Sequence, residues 1–157
     1  MKRGDTVEDF ALTDDTGVER RLSDLLADGP VVLFFYPFAF SPGCTRESCH
    51  FRDLAKEFAE AGARRVGVST DPPVKQRAWS EKNSLDFPLL SDPDGSVSAR
   101  FGVQHRIGLL RTRRRTFVID TDRRVLGVVS SELNMHVHAD RALQILRTAR
   151  GKPSPAG

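Results

Sequence analysis

Cysteine is scarce in this chain. Only two cysteines, Cys44 and Cys49, are present among 157 residues. This number excludes the disulfide framework of a small secreted protein and favours a reducing compartment, so we expect a cytoplasmic protein whose cysteines serve redox or metal chemistry. The pair does not form Cys-x-x-Cys, which disfavours a general thiol–disulfide oxidoreductase.

Long apolar segments are also lacking. The first 17 residues contain no apolar stretch of the kind found in signal peptides, so we expect none. The longest apolar run, Val31–Phe35 with its flanks, is far shorter than the ~20 residues that span a bilayer, so we expect no membrane association. Without repeats or an internal linker, the chain is predicted to form a single domain over 1–150, followed by a disordered tail over 151–157.

Several chemical signatures are missing as well. The chain has no glycine-rich phosphate loop, no paired-carboxylate motif and no Ser-His-Asp signature. The net charge of +3 is only mildly basic. The basic run 111–115 lacks interleaved aromatics, so apart from Arg114 we interpret it as a solvated edge and expect no nucleic-acid partner. An arginine-rich RNA-binding or chaperone role is the non-enzymatic alternative. The histidines at 50, 136 and 138 fit no standard zinc spacing, so no metal is expected.

The apolar pattern predicts alternating strands and helices. Strands are expected over 7–12, 18–22, 31–36, 65–70, 115–120 and 125–129, and helices over 22–26, 44–62, 73–82, 95–101 and 140–150. The segment 87–92 is predicted to be irregular, and Asp71 is predicted to cap the helix that follows it. This order indicates an α/β fold, with an N-terminal β-hairpin and a mixed central sheet that has helices on both faces.

Two of these helices show an apolar face. In the first, after Gly43, the apolar positions follow helical spacing, and they are Cys44, Phe51, Leu54, Ala55 and Phe58. Gly62 is the predicted C-terminal stop of this helix. In the last helix the residues expected to point inward are Ala142, Leu143, Leu146 and Ala149.

Cys44 lies in the first turn of the predicted 44–62 helix. A right-handed crossover from 31–36 to 65–70 places this turn at the carboxyl edge of the sheet, where sites of open α/β sheets lie. Unpaired backbone N–H groups and the positive end of the helix dipole stabilise a thiolate there. A lone cysteine is more often a small buried hydrophobe. The residues around Cys44 favour catalysis instead.

The motif Pro37-x-x-x-Ser41-x-x-Cys44 resembles that of the peroxiredoxins, and the resemblance extends from Gly4 to the last helix. The stretch 42–49 is similar to the bacterioferritin comigratory protein (PrxQ) subgroup. The stretch 37–40, Trp79 and 87–92 resemble the AhpE type, which often uses a single cysteine. The resemblance implies a thioredoxin-like fold and a thiol peroxidase for hydrogen peroxide and organic hydroperoxides, with no cofactor.

The resemblance also implies roles for individual residues. Cys44 would attack the peroxide and become a sulfenic acid. Ser41 would hydrogen-bond to the peroxide or the thiolate, and Pro37 would shield the sulfur. Backbone N–H groups of Gly43 and Cys44 would hold the peroxide oxygens.

A late strand carries the family pattern Arg-x-Thr-Phe, which selects Arg114 rather than Arg115. Because neighbouring strand residues point to opposite faces, only one of the two can reach the sulfur. Glu47 is expected to orient Arg114. Trp79 is interpreted as packing, with a contribution to the peroxide pocket as the alternative. Exposed aromatics at 38 and 40 would line the entrance or an oligomer face.

Cys49 has two interpretations. In the subgroup, a cysteine at this spacing resolves the sulfenic acid as a disulfide, which a thioredoxin-, glutaredoxin- or mycoredoxin-like protein then reduces. Five helical positions separate the Cα atoms by roughly 8–9 Å, beyond the ~7 Å that a disulfide allows, so the helix start would have to unwind. Alternatively, Cys49 is an incidental surface cysteine and an external thiol reduces the sulfenic acid. The subgroup resemblance implies a monomer or weak homodimer.

Overall fold

A computed structural model describes residues 1–104 and 113–149. Most of the basic run 111–115 is therefore described, but Arg111, Thr112 and the predicted 151–157 tail lie outside these residues. The strands are β1 (Ala11–Asp14), β2 (Glu19–Arg21), β3 (Val31–Phe35), β4 (Arg64–Ser69), β5 (Leu89–Ser91), β6 (Arg115–Ile119) and β7 (Val125–Ser130). The helices are α1 (Leu22–Leu25), α2 (Pro42–Asp53), α3 (Ala55–Glu60), α4 (Pro73–Asn83), α5 (Ser96–Arg100) and α6 (Val137–Ala149).

The described strands form one mixed sheet in the order β2-β1-β5-β4-β3-β6-β7. The central strand β3 is parallel to β4 and antiparallel to β6. The predicted N-terminal hairpin is present as β1 and β2, and the predicted late hairpin as β6 and β7. The α/β prediction with a mixed central sheet is therefore confirmed.

Side chains of β3 alternate between two apolar cores. Val31, Leu33 and Phe35 belong to the core that also contains residues of α1 and α5. Val32 and Phe34 belong to the other core, with residues of α2, α3, α4 and α6. All five β3 residues are buried, so the strand is covered on both faces, as its continuous apolar sequence predicts.

Gly67, in the middle of β4, allows this dense packing. A Cβ atom there would lie 2.8 Å from Leu89 Cδ2 and 3.0 Å from Tyr36 Cε1. Any side chain at this position would therefore displace Leu89 or Tyr36.

The predicted single helix over 44–62 is wrong, because two helices, α2 and α3, occupy this region. The break lies at Leu54, which has φ −97° and ψ 21°. In an unbroken helix the Phe51 carbonyl would accept from the N–H of residue 55. Here that carbonyl accepts from Arg65 Nη1 at 2.8 Å. A contact from β4 thus coincides with the break, and helical periodicity alone carries no sign of it.

Four further predictions need correction. The segment predicted to be irregular contains β5, which is too short for an alternating pattern and is held by pairing with β1 and β4. Asp71 does not cap α4, since the N-cap is Pro72 and no side chain bonds there. The last helix begins at Val137, before the predicted start, and Ala149 is exposed at its end rather than inward.

Among residues 1–104 and 113–149, each helix falls short of the apolar length that spanning a bilayer requires.

Candidate active site

The chain leaves β3 at the carboxyl edge of the sheet and turns through 36–41 into α2. Tyr36 and Pro37 are buried, whereas Phe38 and Phe40 are 36% and 43% exposed. Phe40 has φ 70°, an unfavourable backbone conformation for a residue with a bulky side chain. This turn brings Ser41 to the N-cap position of α2 and Pro42 to the first helical position.

Cys44 is the third residue of α2 and is fully buried. Its backbone N–H donates to Ser41 Oγ at 3.1 Å. Ser41 is thus the side-chain cap of the helix, and its own hydroxyl proton remains available to an acceptor. Ser41 and Gly43 are both partly exposed, so solvent approaches the thiol from their side.

Arg114 reaches the sulfur from the start of the strand that neighbours β3. It immediately precedes β6, and the neighbouring Arg115 pairs with Phe35 at the end of β3. Arg114 is 7% exposed, and its Nη2 lies 3.3 Å from Cys44 Sγ. Arg115 is more exposed and makes no such contact with the sulfur. The pairing of β3 with β6 therefore brings together two residues that are 70 positions apart in sequence.

Gly43 permits this close approach. A Cβ atom at residue 43 would lie 3.3 Å from Arg114 Nη2 and 3.4 Å from Met135 Sδ. A side chain there would press on the guanidinium that contacts the sulfur. Met135, from the segment between β7 and α6, is buried and forms a further wall of this site.

Glu47 lies one helical turn after Cys44 and is fully buried. Its Oε1 accepts from Arg114 Nη1 at 2.9 Å. Burial raises the pKa of Glu47 from 4.5 to about 8, although the Arg114 charge opposes the rise. Burial on its own would lower the pKa of Arg114, but Glu47 and Cys44 outweigh it and the net pKa is raised. Arg114 thus lies as a cation between a sulfur and a carboxyl group whose pKa is about 8.

A second group of polar residues supports this ion pair, and the sequence does not reveal it. His138 is fully buried on α6, with Nδ1 2.9 Å from Thr116 Oγ1 and Nε2 2.8 Å from the Ser131 carbonyl. Its Nε2 also lies 3.6 Å from Glu47 Oε2. Burial lowers the pKa of His138, which favours the neutral ring. A histidine on a helix face carries no sequence signal of these partners.

Cys49 does not meet Cys44. Both thiols are free, and both residues belong to the unbroken helix α2. Cys49 is partly exposed, and its Sγ lies 3.9 Å from Asn83 Oδ1 at the end of α4.

Residues just after Cys49 are tied to three other elements. His50 Nε2 lies 2.8 Å from Asp140 Oδ1 on α6, and Arg52 Nη1 donates to the Asn83 carbonyl at 2.7 Å. The Phe51 carbonyl accepts from Arg65 on β4. The end of α2 is therefore fixed to α6, α4 and β4, as its beginning is fixed by the Ser41 cap and by contacts from Arg114 and Trp79.

Trp79 packs beneath the site. It is fully buried, its ring lies 5.2 Å from that of Tyr36, and its Nε1 donates to Thr45 Oγ1 at 3.0 Å. It thus supports the residue that follows Cys44. A fully buried ring in this position agrees with the packing interpretation.

Within the described residues, no group of three or more histidine, cysteine, aspartate or glutamate side chains is arranged to hold a metal ion. The histidines at 50 and 136 do stack, with ring centroids 4.2 Å apart.

Comparison with known proteins identifies the family of this chain. Residues 3–128 match the AhpC/TSA family model. The chain is 62% identical to a protein of Mycobacterium tuberculosis that carries the name peroxiredoxin, over 96% of this chain and 99% of that one. It is 34% identical to chloroplastic peroxiredoxin Q of Sedum lineare, over 96% and 80% of the respective chains.

The fold agrees as well. The crystal structure of peroxidoxin BcpB from Mycobacterium tuberculosis superimposes with a TM-score of 0.91 at 62% identity, covering 94% of this chain and 97% of that chain. The relative and the solved structure thus each cover more than nine-tenths of this chain. The protein belongs to the AhpC/TSA family and is a peroxiredoxin of the peroxiredoxin Q kind, a thiol-dependent peroxidase.

Proposed function

We propose that Cys44 is the peroxidatic cysteine and that Arg114 activates both the thiolate and the peroxide. The observation that carries this proposal is the shared guanidinium, which lies 3.3 Å from Cys44 Sγ through Nη2 and 2.9 Å from Glu47 Oε1 through Nη1. A charged donor at this distance stabilises a thiolate in a buried site. Glu47 then fixes the plane of the guanidinium, because the bond to Nη1 prevents it from rotating away.

In the first step, the Cys44 thiolate attacks the terminal oxygen of a hydroperoxide. An S–O bond forms, the O–O bond breaks, and water or an alcohol leaves after the leaving oxygen takes up from solvent one proton, equal to the one that the thiol released on ionising. Sulfur loses two electrons to give the sulfenic acid and the peroxide gains them. Arg114 Nε is buried and has no acceptor among the described residues, so it is free to donate to the leaving oxygen.

Ser41 and the start of α2 hold the peroxide. The Ser41 hydroxyl accepts from the Cys44 N–H and can donate its proton to a peroxide oxygen. The N–H of Gly43 lies in the first turn of α2, at the positive end of the helix dipole, and can donate to a peroxide oxygen. Pro37 is buried in the 36–41 turn that leads into α2. It limits access to the sulfur and favours small or unbranched hydroperoxides.

In the second step, Cys49 condenses with the sulfenic acid, giving a disulfide and releasing water. This step requires the first turns of α2 to unwind, since both cysteines lie in one helix. A thioredoxin-, glutaredoxin- or mycoredoxin-like dithiol then reduces the disulfide and becomes oxidised itself. We further propose a cytoplasmic monomer or weak homodimer.

One observation favours a second candidate, a one-cysteine cycle. The contacts of His50 and Arg52 with α6 and α4 hold the helix just beyond Cys49. If they also keep the beginning of α2 folded, an external thiol would reduce the sulfenic acid directly. In either cycle Trp79 supports the start of α2 by donating to Thr45 Oγ1, and its contribution to the peroxide pocket stays a prediction.

Mass spectrometry after one equivalent of hydrogen peroxide tests both cycles. The wild type is expected to form an intramolecular disulfide with a loss of two hydrogens, and Cys49→Ser to form a sulfenic acid that a dimedone-type trap captures. Sulfenic acid in both proteins would replace the two-cysteine cycle by the one-cysteine cycle. Peroxide consumption by Cys44→Ser at the wild-type rate would refute the role of Cys44.

A further inference from the structure

Asp71 lies directly beyond β4 and is fully buried. Its Oδ2 accepts from the Ala39 N–H at 2.6 Å and from the Ser69 hydroxyl at 2.7 Å. Ala39 is itself buried and lies midway between Pro37 and Ser41. The side chain expected to cap α4 thus bonds instead to the turn that leads into the active site.

This turn needs an anchor. Phe40, next to Ala39, adopts φ 70°, a region that residues with a Cβ atom rarely occupy. The aromatic side chains on both sides of Ala39 are exposed and offer the turn little support from the core. The charge-assisted bond that the Ala39 N–H donates to the Asp71 carboxylate is therefore well placed to maintain the strained conformation.

The carboxylate is held in its own position from two sides. The Ser69 hydroxyl donates to Oδ2 and also accepts from the Asp71 N–H at 3.1 Å. Lys75, one turn into α4, lies 3.1 Å from Oδ1 and offsets the buried charge. Asp71 is thus fixed before it bonds to Ala39, and a fixed acceptor can define where a neighbouring backbone lies.

We propose that Asp71 is a positioning residue for peroxide reduction, acting through Ala39 to keep Pro37 and Ser41 in place over Cys44. The inference rests on the proposed function of Cys44. Asp71 touches neither the sulfur nor the peroxide in this scheme. Its substitution should impair the reaction with peroxide, which needs Pro37 and Ser41, and should spare thiolate reactions that need neither residue.

The experiment compares two reactions of the same thiol in a Cys49→Ser background. One is oxidation of Cys44 by hydrogen peroxide, and the other is alkylation of Cys44 by iodoacetamide at the same pH. For Asp71→Ala we expect the oxidation rate to fall about 10- to 100-fold, while the alkylation rate stays within about twofold. Asp71→Asn, which keeps an acceptor for the Ala39 N–H, should recover part of the oxidation rate.

Asp94→Ala is the matched control, because Asp94 also accepts a backbone N–H, that of Ser96, but lies far along the chain from the turn. Its two rates should equal those of the parent protein.

An unchanged oxidation rate in Asp71→Ala overturns the inference, and so does an equal loss in both reactions. If Asp71→Ala does not fold, Ser69→Ala is measured in its place. An unchanged oxidation rate in Ser69→Ala would also overturn the inference. A parent protein that does not react with peroxide refutes the proposed function instead.

Discussion

Arg114 and Glu47 are 67 positions apart in the chain, yet Nη1 of Arg114 donates to Oε1 of Glu47 at 2.9 Å inside the protein. This contact joins the start of β6 to the first turns of α2. It leaves Glu47 Oε2 buried with no hydrogen-bond partner among the described residues, and His138 lies 3.6 Å away. The arginine charge is therefore shared between the carboxyl group and the sulfur.

Arg114→Lys should slow the oxidation of Cys44 by about 100-fold. A lysine ammonium is a single point charge and cannot contact the sulfur and Glu47 in one plane as the guanidinium does. Stopped-flow measurement of peroxide reduction under single-turnover conditions tests this. Arg115→Lys is the control, and its rate should match the wild type. Equal rates for the two variants would contradict the role of Arg114.

Glu47→Gln should remove a pH dependence of stability. The folded-state pKa of Glu47 is about 8, against an ordinary value of 4.5. The folded protein therefore binds more protons than the unfolded chain between these values, and its free energy of unfolding falls as pH rises from 4.5 to about 8 and levels off above that. The lowered pKa of His138 acts in the opposite direction, but only below its ordinary value of 6.5.

Urea unfolding under reducing conditions at several pH values between 6.5 and 8.5 measures this effect. The wild type should lose stability across that window, and Glu47→Gln should lose much less. Glu60→Gln, which changes an exposed glutamate of α3, should keep the wild-type slope. A wild-type stability that is flat or rises with pH would refute the prediction.

Ser41→Ala should lower both stability and peroxide reactivity. The loss of the N-cap bond to the Cys44 N–H is expected to cost about 1 kcal/mol in the free energy of unfolding. Peroxide reduction should slow as well, because the hydroxyl donor is lost. Ser41→Thr keeps the hydroxyl and should retain most of both properties. Wild-type stability in Ser41→Ala, measured by urea unfolding, would show that the cap is unimportant.

Arg52→Ala should speed the formation of the Cys44–Cys49 disulfide. Arg52 lies three positions after Cys49 and donates to the Asn83 carbonyl. Its removal therefore loosens the part of α2 that carries Cys49. A loss of about 1 kcal/mol would raise the unwound population roughly fivefold. Quenched-flow mass spectrometry follows disulfide formation after a peroxide pulse. Arg46→Ala, an exposed position in the same helix, should behave as the wild type. An unchanged or slower rate for Arg52→Ala would contradict the prediction.

Much of the fold was predictable from local sequence. The continuous apolar run predicts β3 as a buried central strand, and the spacing of apolar residues predicts a helix after Gly43. The break at Leu54 was not predictable, because it coincides with a contact from Arg65 on another strand. The strand β5 was not predictable either, because three residues acquire extended structure through their partners.

In the active site too, local features follow from the sequence, whereas contacts between distant residues do not. Local sequence is enough to place Cys44 at the start of a helix, three residues after a serine, since capping and helical spacing act within a few residues. The contacts of Arg114 with the sulfur, of His138 with Glu47 and of Asp71 with Ala39 follow only from the tertiary fold. These contacts join residues far apart in the chain, and they exist only because strand pairing and burial bring the segments together.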